Sequence, residues 1–119
     1  MKSFAEKAKK SRKPIPFTMD GEVWYVANIP NVETRKLLES FVSTDDKMSD
    51  SELEVANEAN IQAGGNLIKR MIVDEKGEQF KDLMDMDVSE IDEHLSPRQI
   101  EILTKSVMQI IAGENISGN

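Results

Sequence analysis

The side chains that could do chemistry in this chain are few. His94 is the only histidine and there is no cysteine, so a conventional catalytic triad or dyad is not assembled here. The spacing reads His94 onto a solvated helix surface instead. Asp85, Asp87 and Ser89 fall at positions 1, 3 and 5 of a calcium loop, but Glu90 stands where such a loop needs glycine. Ser96 stands where it needs a bidentate glutamate, and the match fails. Ala63-Gly64-Gly65-Asn66 has neither the spacing nor the lysine of a phosphate-binding loop. Carboxylates are numerous, yet no spacing selects a pair to share a proton, and a solvated acidic face explains them. The expectation is a non-enzyme with no catalytic, cofactor-binding or metal-binding residue.

What remains is apolar recognition. Met71, Met84, Met86 and Met108 lie on or beside apolar faces. A flexible thioether either fills irregular core space or offers an adaptable surface to helical partners, and both readings stay open. Together with the aromatics they name the candidates for partner contact: Phe17, Trp24, Phe41, Met71, Phe80, Met84 and Met86.

One strand-turn-strand signal stands in a sequence that otherwise reads as helix. Asp20-Gly21 is a favoured two-residue hairpin loop, since a type I′ turn needs positive φ at both central positions. Closing there sets Phe17 opposite Trp24 and Ile15 opposite Val26, with Ile15, Phe17, Met19, Trp24 and Val26 on one face. An isolated hairpin is marginal in water, so that face must lie on the following helices or on another chain.

Apolar periodicity predicts helices over about 32–43, 50–73, 78–85, 88–95 and 97–112. Asn31 is the expected cap of the first, and Ser49 with Glu52 makes a capping box for the second. Gly64-Gly65 predicts a kink or break within the second, because each glycine costs on the order of 1 kcal/mol against alanine. Phe80, Leu83 and Met84 are expected to point inward from the short helix after Gly77. Ser96-Pro97-Arg98-Gln99 is the cleanest helix start, and Gly113 the expected stop. The fold class is therefore α+β: mostly helical, with one N-terminal hairpin over about 15–26 packed on roughly five helices. Residues 14–112 form the single domain, and 113–119 read as a flexible end.

The net charge of −7 hides an asymmetry. Lys2, Lys7, Lys9, Lys10, Arg12 and Lys13 against Glu6 give the first fourteen residues +5, which leaves −12 for the rest. The leader over 1–13 is read as disordered: a solvated tail, a partner-docking segment or a nucleic-acid contact. The acidic body should repel nucleic acid. No apolar run approaches the roughly 20 residues of a membrane span, so a soluble chain of the cytoplasm is expected.

The order of these elements resembles the tail assembly chaperones of long-tailed (siphovirus-like) bacteriophages. Ile15-Pro-Phe-Thr-Met-Asp-Gly-Glu22 is similar to that family's opening I-x-F-x-x-D-G-E pattern. Gly77-Glu-Gln-Phe-Lys-Asp-Leu-Met84 resembles its later stretch, in which an aromatic follows an acidic turn. The likeness covers most of residues 1–112. It departs from many members in lacking tryptophan and tyrosine near the end of the last helix, and in closing on Ser-Gly-Asn.

The resemblance implies a non-enzymatic protein of the host cytoplasm, absent from the mature virion. Its partners would be the tape measure protein and the tail tube protein, with a frameshift-extended form of itself or a homo-oligomer also open. It implies no cofactor, no nucleic acid and no membrane. Two other readings compete: a small nucleic-acid-binding regulator that uses the leader, and a structural head or tail connector.

Overall fold

A computed structural model describes residues 3–113 of the chain. Its elements run α1 (Phe4–Ser11), β1 (Ile15–Met19), β2 (Glu22–Val26), α2 (Asn31–Leu38), α3 (Asp50–Met71), β3 (Ile72–Val73), α4 (Lys81–Asp85), α5 (Val88–His94) and α6 (Pro97–Ile111). The fold is α+β and mostly helical, with a small three-stranded antiparallel sheet among the described residues.

The hairpin closes where its turn chemistry requires. Asp20 has φ 53° and Gly21 φ 81°, both in the left-handed region of a type I′ turn. Phe17 lies opposite Trp24 and Ile15 opposite Val26. The salt bridge from Arg98 Nη1 to Asp20 Oδ1, 2.5 Å, ties the hairpin tip to the start of α6.

A third strand extends the sheet, and it replaces the end of a predicted helix. Ile72 and Val73 pair with Val26 and Tyr25, so α3 stops at Met71 rather than 73. Both residues are β-branched, and the free edge of β2 offers them backbone partners; the Ala27 N–H also donates to the Met71 carbonyl at 2.7 Å. The chain then turns at Asp74, whose Oδ1 accepts from the N–H groups of Lys76 and Glu78. Gln79 bridges back to Val73, which delays α4 until Lys81.

α3 is the central strut, and it is continuous across Gly64-Gly65. The expected break does not occur because Gly65 lies against Val88 of α5. A Cβ built there would sit 2.6 Å from one Val88 methyl, so glycine permits a close helix approach. Its capping box is present, with the Ser49 side chain and Glu52 bonded reciprocally. Leu67, Ile68 and Met71 of α3 meet Phe17, Val26 and Leu103 in one core, with Val107 from α6 beneath them.

α2 ends at Leu38, short of the expected 43. Pro30 rather than Asn31 holds the cap position, and no side chain caps it. Past a turn at 39–40, Val42 is captured by Asn60 of α3. The Asn60 Oδ1 accepts from the Val42 N–H at 2.7 Å, and its Nδ2 donates to the Val42 carbonyl at 3.0 Å. A backbone so engaged cannot continue the helical ladder.

The leader, expected to be disordered, is helical over Phe4–Ser11. Ser3 caps it by accepting from the Glu6 N–H, and none of its residues is buried. Gly113 closes α6 with φ 79°, while the end over 114–119 lies outside the described residues.

Candidate functional site

The sheet, α4 and α5 leave an apolar cleft of about 230 Å³ between them. Trp24 reaches it from β2, Phe80 and Leu83 from α4 and its cap, and Leu95 from the end of α5. Met86 lines it from the extended link between α4 and α5. Buried Ile72, Ile91 and Leu103 form its floor.

Polar bonds hold these walls from behind. The Lys69 ammonium donates to the Met86 carbonyl at 2.6 Å, and Gln79 Nε2 donates to the Lys69 carbonyl at 3.3 Å. Both bonds run to Lys69 of α3, so the short α4 segment is pinned to the strut.

Asp82 and His94 stand at the rim, and His94 is exposed as expected. Two carboxylates, Asp87 and Glu52, take part in helix caps that lower their pKa. At Asp87 the Ser89 hydroxyl and then the Glu90 N–H hold the carboxyl below its ordinary value. At Glu52 the Ser49 backbone N–H does so first, then the Ser49 hydroxyl. Among the described residues no three His, Cys, Asp or Glu side chains group to hold a metal.

The partner-contact candidates divide. Trp24, Phe80 and Met86 meet in the cleft. Met84 is half exposed on α4, and Phe80 is 40% exposed, so neither points inward as the helical periodicity had suggested. Phe41 lines a separate groove with Ile61, Val88 and Ile100, about 350 Å³. Phe17 and Met71 are corrected: at 7% and 1% exposure they are core, where no partner reaches them. Phe17 faces α3 from the sheet, and Met71 ends α3 beneath β2, so folding itself covers both.

Three exposed apolar residues in grooves lie outside the candidates read from the sequence. Val42, Val55 and Ile61 are exposed, and Val42 and Val55 line a third groove of about 440 Å³ beside the start of α3. A signal was present, because Val55 and Ile61 fall outside the stripe of Leu53, Ala56 and Ala63 that α3 turns inward.

No helix among the described residues is long and apolar enough to cross a membrane. In comparisons with known proteins, no family model, no curated protein and no solved structure matches this chain.

Proposed function

We propose that this protein is a bacteriophage tail assembly chaperone, which binds and solubilises the tape measure protein and helps recruit tail tube subunits. The observation that carries the reading is the Trp24–Phe80–Met86 cleft. At about 230 Å³ it falls below the roughly 300–1,000 Å³ of small-molecule pockets, and it suits one or two apolar side chains of a docked helix. Met86 in its wall, and the exposed Met84 on the same short helix segment, are flexible side chains that adapt to successive, non-identical segments. An unassembled tape measure exposes long apolar stripes, an aggregation hazard that such a surface covers. Of the two motifs that resemble the chaperone family, Gly77–Met84 supplies Phe80, Asp82 and Leu83 to this cleft.

Co-expression with the tape measure protein tests the reading. Its soluble yield should rise, and the two chains should co-purify. A Phe80→Ser/Met84→Ser chain should keep its melting temperature and lose the partner. Trp24 is the only tryptophan, so its emission should shift on binding. Unchanged yield with no co-purification would overturn the proposal.

A further inference from the structure

Among the described residues nothing covers the groove beside the start of α3 or the helix α1, and the two complement each other. Val42, Met48, Val55, Ala56 and Ala59 line the groove, with Val55 71% exposed. Glu52 is in its lining, and Asp45, Asp46 and Asp50 lie beside the lining residues in sequence, against a single lysine, Lys47. α1 is the reverse. Phe4, 89% exposed, and Ala8 share one face at helical spacing; Lys7 flanks that face, and Lys9 and Lys10 fall on the rest of the helix. Among the described residues, none of these acids or lysines is in an ion pair.

Geometry keeps the two apart within one molecule. Pro14, at the root of α1, packs against Gly77, in the turn that follows α3 and β3. The groove lies along the opposite half of α3. Sixteen residues separate Val55 from Met71, about 24 Å of helix, and the lip at Met48 lies further still. α1 is about 12 Å long, and its Arg12–Pro14 tether spans at most about 10 Å. To lie in its own groove the leader would have to be pulled straight.

We infer that α1 of one copy docks in the α3 groove of a second copy, giving a head-to-tail assembly. Such a contact is heterologous, so each subunit added offers a fresh helix and a fresh groove, and growth continues until the rotation between subunits closes a ring. A helix of eight residues covers less than the roughly 1,200 Å² of a standard interface, which makes each joint weak. Charge complementarity makes it salt-dependent, since exposed pairs are screened beyond about 10 Å at 0.1 M salt. The inference uses a different surface from the tape measure cleft and holds whether or not that reading does.

Sedimentation of the full chain tests it. Mean mass should rise with concentration at low salt and return to monomer at high salt. Phe4→Asp and Val55→Asp each alter an exposed side chain, so both variants should fold, as circular dichroism and melting will verify. Each should weaken self-association by at least about tenfold. Mixed together they should form a 1:1 dimer and stop there, because one keeps an intact groove and the other an intact helix. A wild-type chain that stays monomeric to millimolar concentration overturns the inference, including the case in which the lysines bind a DNA or RNA duplex instead. So does association unaffected by Phe4→Asp, or a mixture of the two variants that remains monomeric.

Discussion

A methyl group at Gly65 would lie 2.6 and 2.7 Å from the two Val88 methyls, whereas one at Gly64 meets nothing within 4 Å. The neighbouring glycines should therefore answer the same substitution with opposite signs. Gly65→Ala should destabilise by about 1–3 kcal/mol through overpacking, and Gly64→Ala should stabilise by roughly 0.5–1 kcal/mol. Denaturant unfolding of the two variants checks this, and equal effects would mean that α5 does not seat on α3 as described. Glu52 makes a second prediction at the same scale. Its carboxylate is held below its ordinary value by the Ser49 N–H and hydroxyl. The folded state thus favours the charged form, and that contribution is full above the ordinary carboxylate range and lost as pH falls through the folded value. Melting temperatures of wild type and Glu52→Gln should differ at neutral pH and converge in acid. A constant gap down to pH about 2 would remove the charge from the cap.

At the scale of elements, the question is which apolar residues hold the fold and which are free to bind. Met71→Ala empties the junction of α3 with the sheet and should cost about 2–5 kcal/mol. Phe80→Ser removes an exposed ring and should change stability by no more than about 0.5 kcal/mol. Trp24 is half-buried at the cleft wall. Its alanine variant should fall between, at about 2 kcal/mol, below the roughly 3–5 kcal/mol of a fully buried ring. Chemical denaturation of the three variants ranks them, and a Phe80 variant as unstable as the Met71 variant would place that ring in the core. Helical periodicity alone puts Met71 and Phe80 on equivalent inward faces. They differ because β2 and α6 close over Met71, while nothing among the described residues covers α4 on its outer side.

For the whole molecule, the division is between a packed acidic body and an unburied basic helix. No residue of α1 is buried, so a chain beginning at Pro14 should unfold within about 0.5 kcal/mol of the full one. A larger loss in a thermal or denaturant melt would show α1 contributing to the body's stability. The charge split was legible at once, because it is a sum over residues and needs no coordinates. The helix of the leader was missed, although a local signal for it existed. Ser3 precedes Glu6 at capping distance, a signal of the same kind as Ser49 before Glu52.

What the amino-acid order determined by itself was set by neighbours a few positions apart. The Asp20-Gly21 turn imposed the hairpin register, and the Ser49 and Ser96 boxes opened α3 and α6 at their observed residues. The α+β class followed from the same local periods. Tertiary structure decided whatever depends on groups distant along the chain. It drew Ile72 and Val73 from a helix into the sheet, carried α3 through two glycines against Val88, and ended α2 early by binding Val42 to Asn60. It also chose which of seven apolar candidates stay in reach of a partner. Burial is set by what packs on top of a side chain, and that partner lies tens of residues away.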